Sequence, residues 1–246
     1  MALGLTFIAG ASLLFGILLS LIGKDKKKIA NFAIGLAFTI LLGMVVFDLI
    51  PEAIEHLESE PIFIRTIRII ICLAIGMGIF KLLDKFVPHH HDHNHHDDTN
   101  HLFHIGVVTS IALILHNIIE GMAIYSISLN DLKTGLMMSI GVALHNIPLG
   151  IEIGSGIRDT ENKFINKVIL VIILTFSTVI GALILKLSGM EISDLVLGSL
   201  ITITLGMVIY IIIFELLKEL IELKNNKYAL SGAVFGIIIV IASMLI

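Results

Sequence analysis

Residues 111–121 read IALILHNIIEG, and residues 140–150 read IGVALHNIPLG. Each places a His-Asn pair inside an apolar stretch long enough to cross a bilayer. Imidazole, amide and carboxylate groups are unfavourable in hydrocarbon, so where they occur they mark sites or pathways. Here they are metal-ligand types at helical spacing, in duplicate. The pattern predicts a membrane helix bundle with a metal-ion pathway through it.

The rest of the chain agrees with a membrane setting. It is 57% hydrophobic and only 15% charged, with a mean hydropathy of +1.02. A soluble domain of this length needs more polar surface than that. Cys72 is the only cysteine, which excludes an intrachain disulfide framework. Met1 leads into an apolar run with no basic segment or small-residue cleavage site, so the run is expected to be a retained span. About 20 apolar residues cross the hydrocarbon core. Eight segments meet that measure, at roughly 3–22, 31–56, 62–86, 102–129, 132–157, 165–187, 194–222 and 228–246. The expected fold is all-α and polytopic, eight transmembrane helices in a single domain over 1–246.

Charge sets the expected orientation. Lys24, Lys26, Lys27, Lys28, Lys81, Lys85, Arg158, Lys163, Lys167, Lys218, Lys224 and Lys227 fall on one side of such a bundle. Arg65, Arg68, Lys133 and Lys186 fall on the other. The side richer in Lys and Arg is read as cytoplasmic, which puts both termini outside. The same alternation supports an even number of spans.

Two of the segments resemble each other. Gly43-Met44-Val45-Val46-Phe47 is matched by Gly206-Met207-Val208-Ile209-Tyr210, and each is followed by two acids four residues apart. These are Asp48 and Glu52, then Glu215 and Glu219. An i,i+4 pair shares one helix face. The two spans would run in opposite directions, as in the inverted repeats of secondary transporters. The first three and last three spans would then surround a central fourth and fifth. Asp48 and Glu52 would collect cations outside, and Glu215 and Glu219 would pass them inside.

The central pair carries the ligands. His116 and Glu120 are four apart and Asn117 and Glu120 three apart, so all three meet on one side of a helix. His145 and Asn146 lie at the same depth on the next span, joined by a short polar loop near Asn130 and Asp131. Nitrogen and oxygen donors together suit Zn(II), Fe(II), Mn(II) or Cd(II) as cargo. Without a thiolate pair a Cu(I) carrier is disfavoured, and two histidines disfavour the all-oxygen shells of Mg(II) and Ca(II). Pro148 removes a helical hydrogen bond nearby and is expected either to free a carbonyl or simply to kink the helix.

With these residues in view, the sequence resembles the Zrt/Irt-like (ZIP) family of divalent-metal transporters. The motifs HNIIEG and HNIPLG are close to the family's HNIPEG pattern. The resemblance implies that His116, Asn117 and Glu120, with His145 and Asn146, form a transport site, often binuclear. It also implies homodimers and a rocking or elevator-like movement of one helix bundle. Two departures matter. Leu149 stands where the family usually has an acid, and Glu152 is one turn further on, about 10 Å along the axis from His145. The sixth span, Lys167–Leu187, has no acid within the membrane. A single principal site is therefore expected, with Glu152 as a second station towards the cytoplasm.

Between the third and fourth spans lies a tract, 88–101, containing His89, His90, His91, His93, His95 and His96. It is compositionally metal-binding and expected to be a cytoplasmic loop. No GxxxxGK[ST] signature is present, so ATP hydrolysis is not expected to drive movement. The expected function is uptake of zinc, or a related divalent ion, across the cell membrane into the cytoplasm. The expected partners are metal ions, lipid and a second copy of the chain, with no nucleic acid. The alternatives are a membrane metal sensor or an intramembrane zinc enzyme using the same ligands; no HExxH motif supports the latter.

Overall fold

Long apolar runs leave the backbone one inexpensive way to satisfy its polar groups in lipid, the α-helix. The computed structural model, which describes residues 1–22, 25–86, 98–158, 164–189, 193–223 and 225–244, is helical accordingly. Its helices are α1 (Ala2–Ile22), α2 (Lys26–Met44), α3 (Ile50–His56), α4 (Ile62–Phe86) and α5 (Asp98–Asn130). Then follow α6 (Leu132–Arg158), α7 (Phe164–Ser188), α8 (Asp194–Tyr210), α9 (Leu217–Glu222) and α10 (Lys227–Ser243). Among the described residues there is no strand.

Six helical stretches are long and apolar enough to cross a membrane: Ala2–Ile22, Lys27–His56, Ile62–Leu82, Leu132–Ser155, Ile165–Ser188 and Asp194–Glu222. Leu113–Leu129 and Lys227–Ala242 are apolar but shorter. The acids that interrupt two of these runs do not break them. Instead a π-helical turn, Val45–Leu49, joins α2 to α3, and another, Ile211–Leu216, joins α8 to α9. In each the backbone bond lengthens to i→i+5, from Ile50 to Val45 and from Leu217 to Ile212. One extra residue in a turn re-aims the side chains around it. Asp48 lies in the first such turn and Glu215 in the second.

Two boundaries differ from the hydropathy expectation. The second rod begins at Lys26 rather than near 31, because Asp25 caps it, accepting from the Lys28 amide at 3.2 Å. The Lys28 ammonium, 2.7 Å from the other carboxylate oxygen, is the main group holding the Asp25 carboxyl below its ordinary range. The fourth begins at Asp98, so the end of the 88–101 tract is helical backbone. The tract's His89, His90, His91, His93, His95 and His96 lie outside the described residues.

Helices pack through glycines. In α1 and α6, a Cβ on Gly16 would strike the carbonyl oxygen of Ile147, and one on Gly150 would strike that of Leu13. In α5 and α7, Gly121 faces the carbonyl of Thr178 in the same way, and Gly181 that of Ile118. Gly35 and Gly232 bring α2 against α10, and Gly76 and Gly206 bring α4 against α8. In lipid there is no hydrophobic drive between helices, so such close backbone approach supplies the packing. The repeated hexapeptide thus has a structural half: in both copies its third residue, Ile118 or Ile147, and its glycine dock on an outer helix. Buried hydroxyls such as Thr6, Ser20, Ser177 and Thr202 bond back to their own helix carbonyls, which satisfies them without water. Large apolar side chains on α4 and α10, including Phe63, Ile70 and Ile238, point outwards.

Candidate metal site

α5 and α6 are joined by a tight turn at Asp131, whose carboxylate accepts from the Lys133 amide at 3.0 Å and the Thr134 hydroxyl at 2.6 Å. The two helices therefore run antiparallel and in contact, with their His-Asn pairs at one depth. Nε2 of His116 is 2.9 Å from Oε1 of Glu120, and Nε2 of His145 is 3.0 Å from the same oxygen. One potential ligand atom from each of the three lies within 4.8 Å of the others. Two ligands on a tetrahedral zinc ion with bonds near 2.0–2.1 Å are about 3.3 Å apart. The two His–Glu separations are thus within a few tenths of an ångström of a coordination edge.

The site is buried and under-satisfied by protein partners. His116 is 2% exposed, and Asn117 and Asn146 are fully buried. Among the described residues, eight buried side-chain polar atoms have no hydrogen-bond partner. Five of them belong to this neighbourhood: His116 Nε2, both amide atoms of Asn117, Glu120 Oε2 and Asn146 Oδ1; a sixth, Glu152 Oε2, lies further along α6. His116 Nε2 is close to Glu120 but off the line of a hydrogen bond. Native structures leave few such groups, and each needs an explanation. His116 Nε2, Asn117 Oδ1, Glu120 Oε2 and Asn146 Oδ1 are of metal-ligand type, so a bound cation is chemically able to satisfy them.

The other residues singled out in the sequence divide into three groups. Asp48 lines a small cavity with His145, and Glu52 lines another with His116, Glu120 and Thr204. Asp48, from the π turn, and Glu52, from α3, thus both border the central donors. Asn146 is partly diverted, since its amide nitrogen donates to the Ala9 carbonyl of α1 at 3.1 Å, which leaves its oxygen as the unsatisfied end. Glu152 is 5% exposed on α6 and stands apart from the triad. Glu215 and Glu219, both partly buried, engage other groups and are not members of the triad. Pro148 cannot donate to the Leu144 carbonyl, yet α6 remains one helix through it. Leu149 is fully buried and packed in the main apolar cluster, where an acid would have to be desolvated.

A model of the family described as "ZIP Zinc transporter" matches residues 1–244. The chain belongs to the ZIP zinc transporter family. Among its relatives, a "Zinc transporter ZupT" of Enterobacter sp. (strain 638) is 24% identical, aligned over 94% of this chain and 91% of the relative. One from Chlorobium chlorochromatii is 25% identical over 100% and 97% of the two chains. Another, from Chlorobium limicola, is 27% identical over 99% and 97%. Membership makes this ZIP chain an integral membrane protein of a transporter family, not an enzyme family.

Proposed function

We propose that this ZIP-family protein carries Zn(II) across the cell membrane into the cytoplasm without ATP hydrolysis. His116, Glu120 and His145, aided by the amide oxygens of Asn117 and Asn146, replace the ion's water shell near the midplane. Asp48 and Glu52 collect the ion on the outer side; Glu152, Glu215 and Glu219 receive it on the inner side. Fe(II), Mn(II) and Cd(II) share the ligand preference and compete. The observation that carries the reading is the set of four orphaned buried atoms of ligand type, His116 Nε2, Asn117 Oδ1, Glu120 Oε2 and Asn146 Oδ1, at one His-Glu-His cluster. Weak amide ligands suit a conducted ion, which must also leave.

Eight spans with external termini and an inverted repeat complete the proposal. Support comes from the packing. α1 against α6 uses the same glycine-to-carbonyl contacts as α7 against α5, with Gly16 and Leu13 taking the parts of Gly181 and Thr178. The α2–α10 and α4–α8 pairs form the matching outer couples, and both interrupted rods carry a π turn. In this arrangement the 88–101 tract faces the cytoplasm, and the active unit is a homodimer. The test is reconstitution in liposomes with a trapped zinc indicator. Saturable, time-dependent uptake without nucleotide is expected; saturable binding with no uptake would contradict transport.

A further inference from the structure

Beyond Glu52, the same rod ends on another metal-ligating side chain. His56 closes α3 and Asp194 opens α8. Nδ1 of His56 is 3.2 Å from Oδ1 of Asp194, in hydrogen-bonding geometry, although the two are 138 residues apart in sequence. An imidazole that donates from Nδ1 to a carboxylate keeps its lone pair on Nε2, which is the usual state of a metal-binding histidine. Both side chains line an open cavity together with Met122 and Ser126 of α5. Ala123 belongs to the wall of this cavity and also to that of the inner one, which holds Glu52, His116 and Glu120. Glu52 and His56 are i,i+4 on α3, so they share a face about 6 Å apart along the axis. Exposure falls along this line. The Asp194 side chain is 77% exposed and that of His56 21%, while that of His116 is 2%.

We propose that His56, oriented by Asp194, is an outer loading ligand that takes a hydrated divalent cation from water and delivers it to Glu52 and the central donors. The proposal rests on the transport reading above and adds a station to it. One imidazole with water in the remaining positions binds weakly, and weak binding suits a station that must release its ion. Asp194 is a positioning residue: it fixes the tautomer and adds a negative charge at the mouth.

The test is the concentration dependence of uptake by the full chain in liposomes. His56→Ala should raise the apparent KM for Zn(II) about tenfold with the maximal rate retained, the pattern of lost binding without lost turnover. Asp194→Asn should raise it by a smaller factor. His56→Gln retains a donor for Asp194 but has no imidazole, so its KM should stay high. A wild-type KM in His56→Gln would show a merely structural pair and overturn the proposal. His56→Cys should shift preference towards Cd(II), because thiolate is the softer ligand; an unchanged Cd(II)-to-Zn(II) ratio of KM values would also overturn it. Absence of uptake by the wild type would remove the transport reading and this inference together. Wild-type uptake with no KM change in any variant would remove only the loading station.

Discussion

Glu120→Gln keeps the shape of one side chain and removes its charge. Its Oε1 is the atom that both imidazoles approach, at 2.9 and 3.0 Å, and it supplies the only carboxylate of the triad. Replacing an anionic oxygen ligand by a neutral amide oxygen weakens the bond to the ion itself, and even partners that only orient metal ligands are worth roughly 10- to 100-fold in affinity. Affinity for Zn(II) should therefore fall roughly 30- to 100-fold, or about 2–3 kcal/mol at 1.4 kcal/mol per factor of ten. Isothermal titration on the purified protein reads this as a weaker Kd, and liposome uptake reads it as lost flux at low zinc. The variant should still fold, because the amide fills the same volume in the α5–α6 contact. If its Kd stayed within about twofold of wild type, the carboxylate would not hold the ion and the ligand assignment would fail.

Further outcomes follow from the packing and from the loop. Gly121→Leu should destabilise the protein by about 1–3 kcal/mol or more, since the new side chain meets the rigid Thr178 carbonyl of α7; a thermal melt in detergent that matched wild type would contradict the packing. Asn146→Ala should lower stability by about 1 kcal/mol through the lost bond to the Ala9 carbonyl, and should weaken Zn(II) binding less than Glu120→Gln does. Titration alongside a melt separates the two effects. Deleting residues 89–98 should leave zinc uptake measurable, because the triad is built from α5 and α6 alone; total loss of flux in a folded variant would make the tract essential.

The sequence carries much of this directly. Apolar length revealed the helices, and i,i+4 spacing placed His116 with Glu120. The short Asp131 turn implied that His145 would face them. The interrupted rods were harder, since hydropathy registers Asp48 and Glu215 only as defects. A π turn is a backbone adjustment with no residue signature of its own. The Asn146 contact with α1 was hidden because the motif names both asparagines alike, while packing distinguishes them. The His56–Asp194 pair was missed for a different reason. A histidine at a helix end reads as a C-terminal cap, and its partner belongs to a helix 138 residues away. The signal available was the position of His56 one turn beyond Glu52 on the same face. Glycines in the hexapeptides were legible as part of a motif, but their close approach to α1 and α7 needed coordinates.

X-ray absorption at the zinc edge, on protein lacking residues 89–98 and loaded with one equivalent of Zn(II), examines the ligand shell itself. The expected shell is nitrogen and oxygen at about 2.0–2.1 Å, with the imidazole signature of two histidines, reduced to one in His145→Ala. An all-oxygen shell, or an imidazole signature unchanged by that substitution, would mean that the ion does not rest between α5 and α6.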